Sequence, residues 1–149
     1  MTAVRLTDEE LEFAAIAGAI QQARARAVGL AHSYGYNGDG WGVHIEGTAA
    51  ELAVAKALNR YYVPALHPQR KGEADVGPYQ VRSTERRDGC LILHPEDASD
   101  EIVFLVIGRA PDFDVVGWIC AVDGKRPEFW QTYTGRPAYF VPQSALRTL

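Results

Sequence analysis

The sequence predicts an α+β domain, on three observations. An alanine-rich, helix-forming first third precedes a strand-rich remainder. The strand-like runs follow one another with little helix between them, which argues for α+β or a mixed three-layer domain over a doubly wound one. Of the 149 residues, 47% are hydrophobic and 23% are charged, enough apolar material for a core and too much for wholesale disorder. That length falls within the ~100–200 residues of one domain, so residues 1–149 are expected to form a single unit. Its N-terminal helix would lie within 1–33 and its core within 45–142.

The elements follow in order. Thr7-Asp8-Glu9-Glu10 reads as a capping box, a hydroxyl at the N-cap with a glutamate three residues on. Leu11, Ala14, Ala15, Gly18 and Ala19 then share one side, and Phe13, Ile16 and Ile20 are expected to widen that apolar face. The helix is expected to reach about Ala31, before the breaker run from Ser33 to Gly40. A second helix is expected from about Gly47 to Leu58, with Leu52, Ala55 and Leu58 at helical spacing.

Strands begin after Asp75. The stretch from Tyr79 to Thr84 alternates, and Leu91-Ile92-Leu93 is a short apolar run. The continuous apolar run from Ile102 to Ile107 suits a central strand buried on both faces. A further strand is expected from Val115 to Val122, after a connection spanning Gly108 to Asp114. A helical turn is expected at Pro127–Gln131. The last strand, Ala138 to Pro142, reads as a sheet edge because Pro142 has no N–H to donate.

Composition narrows the function. No apolar stretch approaches the ~18–20 residues of a membrane span, so no membrane partner is expected. The acidic start MTAVRLTDEE is unlike a signal peptide, and two cysteines, Cys90 and Cys120, suit a reducing cytoplasm. The net charge of −4 excludes a uniformly basic nucleic-acid binder, so contact with nucleic acid would need a local basic patch. Neither a phosphate-binding P-loop nor a Gly-x-Ser-x-Gly elbow is present. The four histidines, 32, 44, 67 and 94, do not cluster at ligand spacing.

The informative segment runs from Gly72 to Thr84. Asp75 ends a short extended run, Gly77-Pro78 turns the chain, and Gln80 and Arg82 follow two apart on one strand face. Upstream, Glu51 sits in an alanine-rich helix, a setting in which a carboxylate needs a partner or a cation.

These residues resemble the PD-(D/E)XK nuclease superfamily, the restriction-endonuclease-like fold. Ala74-Asp75 stands where the family has Pro-Asp, and Gln80-Val81-Arg82 stands where it has Glu-X-Lys. Glu51 matches the acidic residue many members carry on the preceding helix, and the pattern looks most like small phage-encoded members. The resemblance spans roughly residues 44–122. It implies Mg²⁺- or Mn²⁺-dependent hydrolysis of DNA phosphodiesters, with Glu51, Asp75 and the Val81 carbonyl as metal ligands. Gln80 would assist through its amide oxygen, and Arg82 would bind the scissile phosphate. Two departures bear on activity. Gln80 removes one negative charge from the metal site, and Arg82 stays protonated, so it cannot take a proton from water. Arg70, Lys71, Arg86 and Arg87 would form a phosphate-contacting rim on DNA. Cutting both strands would need two sites, which makes a homodimer part of this reading.

Each residue also has an ordinary structural reading. Asp75 suits a turn, Glu51 an exposed helix position paired with Lys56 or Arg60, and Arg82 a strand face paired with Glu85 or Glu73. Two further functional readings follow. One keeps the fold as a non-catalytic DNA-binding or assembly module. The other is an accessory protein acting through protein contacts, with the N-terminal helix as its dimer surface.

Overall fold

A computed structural model of the chain describes residues 1–29, 40–67 and 73–149. The described residues form an α+β fold in three layers: two helices, a four-stranded sheet and a three-stranded sheet.

The chain opens with a short strand, β1 (Thr2–Arg5), which the sequence pattern does not signal. It gains its place by antiparallel pairing with a later strand, and Arg5 forms an ion pair with Asp112 at 2.7 Å. Helix α1 (Asp8–Ala27) starts at the expected capping box, with both reciprocal bonds formed. It ends four residues before the expected Ala31. Its buried residues, Ala14, Ala17, Gly18 and Gln22, lie along one side, whereas Phe13 and Ile16 are exposed. The single broad apolar face expected of α1 is therefore two separate faces.

Helix α2 (Gly40–Ala57) begins seven residues earlier than expected. Gly40, Gly42 and Gly47 have low helix propensity, but packing overrides it. A Cβ on Gly18 would lie 2.6 Å from Ile45 Cα, so the two helices meet backbone to backbone at that point. The expected loop at 33–39 lies outside the described residues.

The strand region follows the sequence more closely. Strands β2 (Tyr79–Thr84), β3 (Leu91–Leu93), β4 (Ile102–Arg109) and β5 (Asp112–Cys120) form as expected, with shifted ends. The larger sheet has the order β1-β5-β4-β2, and β2 runs parallel to β4 while the other neighbours are antiparallel. β4 is central and buried on both faces, as its unbroken apolar run requires. The expected connection from Gly108 to Asp114 is instead a tight hairpin through Ala110-Pro111, because both strands extend into it. A register shift opposite Leu105/Val106 leaves Val116 as an extra residue, and it lets Val116 and Ile119, three apart, face the same core.

A four-residue helix, α3 (Ala121–Gly124), and a single 3₁₀ turn (Pro127–Phe129) follow. β6 (Trp130–Gln131) and β7 (Ala138–Val141) complete the second sheet in the order β3-β7-β6. β7 is thus the central strand of its sheet, not the expected edge. Pro142 lies just beyond the last paired residue, so its missing N–H removes no ladder bond.

Two cores flank the larger sheet. On the helix side, Ala49, Ala50, Ala53 and Val54 of α2 pack on Phe104, Val106 and Val115. On the other side, Val103, Leu105 and Ile119 meet Leu91, Leu93 and Val141. No helix among the described residues is long and apolar enough to cross a membrane.

Candidate metal centre at the edge of β2

Alanines on α2 let the helix settle close to the sheet, and Glu51 sits where it leaves that contact. The exposed ion pairs expected for Glu51 do not form. Lys56 instead binds Glu10 at 2.8 Å, and the Arg60 guanidinium lies over the Tyr79 ring, 5.3 Å from its centroid. The partner of Glu51 is Tyr62, whose hydroxyl donates to Glu51 Oε2 at 2.5 Å. Tyr62 is buried, with Phe13 set edge-on to it at 6.2 Å.

This setting changes the chemistry of both groups. Burial pushes the Glu51 carboxyl up to about 8, and the nearby Asp75 charge pushes the same way against the Tyr62 hydrogen bond. Burial, followed by the Glu51 charge, also raises Tyr62, so Tyr62 stays a proton donor.

Asp75 reaches the site by a tight reversal. Val76 and Tyr79 exchange both backbone bonds at 3.0 Å, and the Asp75 N–H donates to the Tyr79 carbonyl at 2.9 Å. Gly77 makes this possible by adopting φ 57°, a conformation costly for other residues. The segment 73–76 therefore folds along the outer edge of β2. There the Val81 N–H donates to Asp75 Oδ2 at 2.8 Å. In an extended strand the N–H and C=O of one residue point the same way. The Val81 carbonyl is thus turned to the outer edge as well, beside Asp75 and away from β4.

Gln80 and Arg82 point elsewhere. They pair in register with Val103 and Leu105, whose side chains fill the core between the two sheets. Gln80 is buried there, and its amide nitrogen donates to the Glu73 carbonyl at 2.9 Å. Arg82 meets Asp97 at 3.4 Å, not Glu85 or Glu73, and the other Asp97 oxygen accepts the His94 N–H at 2.8 Å. The structure therefore sets Asp75 beside the Val81 amide, near enough to Glu51 for its charge to act on that carboxyl, and puts the Gln80 and Arg82 side chains on the face toward the second sheet.

Of the expected basic rim, Arg86 and Arg87 lie among the described residues. Arg70 and Lys71 lie outside the described residues. Arg86 pairs with Asp88 at 3.2 Å and Arg87 with Asp114 at 3.9 Å, both beyond the far end of β2. A cavity of about 430 Å³ also opens at that far end, lined by Arg5, Arg87, Arg109 and Asp112 among others. Arg5 faces Asp112 and Arg109 faces Glu46, so the cavity's charge is largely balanced.

Two residues at the site escape sequence reasoning. Tyr62 reads as one aromatic in a loop, and nothing in its spacing points to Glu51. Arg60 reads as a helix-end cation, yet its Nη1 lies where a Gly77 side chain would stand, 2.5 Å from the position of the missing Cβ. It is the cation the fold places nearest the Asp75 turn among the contacts described.

The donor set at this edge consists of oxygens only: two carboxylates and one carbonyl. That fits a hard divalent ion such as Mg²⁺, which keeps several waters and needs few protein ligands. No group of three or more His, Cys, Asp and Glu side chains suited to a metal occurs among the described residues. Comparison of the chain with protein-family models, curated proteins and solved structures gives no match.

Proposed function

We propose that the protein is a metal-dependent, nuclease-like protein that hydrolyses DNA phosphodiester bonds, with Mg²⁺ or Mn²⁺ held by Glu51, Asp75 and the Val81 carbonyl. One observation carries the reading: two carboxylates from separate elements lie near enough that the Asp75 charge, added to burial, pushes the Glu51 carboxyl up. A divalent cation would relieve that repulsion. When bound, the metal lowers the pKa of a coordinated water and offsets charge on the phosphorus. Asp75 would hold its position through the Val81 N–H, and Tyr62 would orient Glu51. Glu51 would release its proton as the cation enters. Arg60 takes the phosphate-contacting role in this reading, because Arg82 is engaged with Asp97 on the opposite face. Such a protein would work in the cytoplasm, beside DNA.

The test is calorimetric titration of Mg²⁺ and Mn²⁺ at pH 8, followed by cleavage assays on single- and double-stranded DNA. The proposal expects saturable binding and metal-dependent cleavage, both lost in Asp75→Asn. Cleavage that persists in Asp75→Asn would overturn the site. Absence of both binding and cleavage would overturn the activity.

The Arg82–Asp97 pair favours a second reading, a non-catalytic DNA-binding or assembly module of the same fold. It expects DNA binding that weakens steeply with salt and does not need divalent ions.

A further inference from the structure

The outer side of α1 leaves large apolar side chains exposed. The inner side of the helix, through Ala14, Ala17, Gly18 and Gln22, is spent on packing within the fold. Diametrically opposite, Glu9, Phe13, Ile16, Ile20, Ala23 and Ala27 recur at alternating steps of four and three. That is the spacing of a coiled-coil seam. Ile16 is 63% exposed and Phe13 is 42% exposed, which is unusual for two large apolar side chains on one helix face.

The charges on the same helix indicate how a copy would sit. Its first turn carries Asp8, Glu9 and Glu10, and its last turn carries Arg24 and Arg26. Two such helices side by side in parallel would set like charges together. Antiparallel about a two-fold axis, each acidic end meets a basic end. Centring the axis between Ile16 and Ile20 sets Ile16 against the partner's Ile20 and Phe13 against the partner's Ala23. The same arrangement sets Glu12 on the flank of the seam that carries the partner's Arg26. Isoleucines thus meet at the axis, Phe13 faces a small residue, and opposite charges flank the seam.

We infer that the protein associates as a two-fold homodimer through antiparallel contact of its α1 helices. A 20-residue helix is about 30 Å long. A strip of that length buries on the order of 1,000 Å² in total, at the low end of specific interfaces. The dimer is therefore reversible and depends on concentration.

Sedimentation velocity on the full chain between roughly 1 and 200 µM tests this directly. The wild type is expected to shift from monomer to dimer within that range. Ile16→Glu is expected to remain monomeric throughout, with an unchanged far-UV circular dichroism spectrum. Glu12→Arg, a change at an exposed polar position, is expected to weaken the dimer about tenfold by replacing two attractive pairs with repulsive ones. A wild type that remains monomeric at the highest concentration would overturn the proposal. So would a dimer indifferent to Ile16→Glu. A dimer indifferent to Glu12→Arg would overturn the antiparallel register.

Discussion

Glu51 shows how one buried carboxyl ties stability to pH. Its folded-state pKa of about 8 stands above the ordinary value of 4.5, so folding favours the protonated form. The stability this contributes is complete below pH 4.5 and is lost as pH rises through 8. By pH 7 the accumulated loss is of order 3 kcal/mol, at about 1.4 kcal/mol per pH unit. Glu51→Gln keeps the shape and cannot ionise. It is therefore expected to melt at a higher temperature than the wild type at pH 8.5 and to differ little at pH 4.5. Parallel pH profiles for the two proteins would show that Glu51 is not held neutral. Tyr62→Phe removes the hydroxyl that favours the charged form, and it is expected to cost about 1–2 kcal/mol. It should also move the Glu51 carboxyl titration upward, which carboxyl-carbon NMR would report. A downward movement would contradict the role given to Tyr62.

Elements here are positioned by close contacts that tolerate little change. α1 and α2 touch at Gly18, where an added methyl would stand 2.6 Å from Ile45 Cα and 2.7 Å from the His44 carbonyl. In an isolated helix, Gly→Ala would stabilise by about 1 kcal/mol. Overpacking at a backbone contact costs ~1–3 kcal/mol, so Gly18→Ala is expected to lower the denaturant midpoint. A raised midpoint would mean the helices can separate freely. β2 is the other sensitive element, because its two faces carry different chemistry. Arg82→Lys alters only the face toward Asp97. Divalent-cation affinity should stay within about twofold of wild type, by the near-additivity of separated sites. A large loss would show that Arg82 reaches the Asp75 edge after all.

At the scale of the molecule, the two cores share the larger sheet, and the candidate metal centre sits at that sheet's exposed β2 edge. Ligand binding at such a site couples to global stability, because the ion binds the folded chain and releases a Glu51 proton. Millimolar Mg²⁺ is accordingly expected to raise the unfolding temperature more at pH 8.5 than at pH 6. Asp75→Asn should abolish the difference. An equal rise at both pH values would separate metal binding from Glu51. Ile16 lies exposed on the side of α1 away from α2 and makes none of the contacts described around Glu51 and Asp75, so dimer formation and cation binding should respond independently to Ile16→Glu and Asp75→Asn.

The sequence by itself determined what local chemistry can determine. The α+β class follows from where alanine gives way to β-branched residues. The start of α1 follows from its capping box, and the central place of β4 from six consecutive apolar residues. Glu51 and Asp75 stood out because one is a carboxylate on an apolar helix and the other precedes a Gly-Pro reversal. Tertiary structure decided everything that depends on which surfaces meet. β1 exists because β5 offers it a ladder. Gly40 to Gly47 is helical because α1 packs against it, and β7 is central because Pro142 falls one residue beyond its last pair. The partners of the charged residues were likewise invisible, since Tyr62, Asp97 and Arg60 reach them across the fold and not along a helix or strand. The division of the motif has the same cause. Alternation put Gln80 and Arg82 on one face, but only the return of residues 73–76 along the β2 edge set Asp75 beside the Val81 amide. Spacing encodes which residues share a face, and packing determines what that face meets.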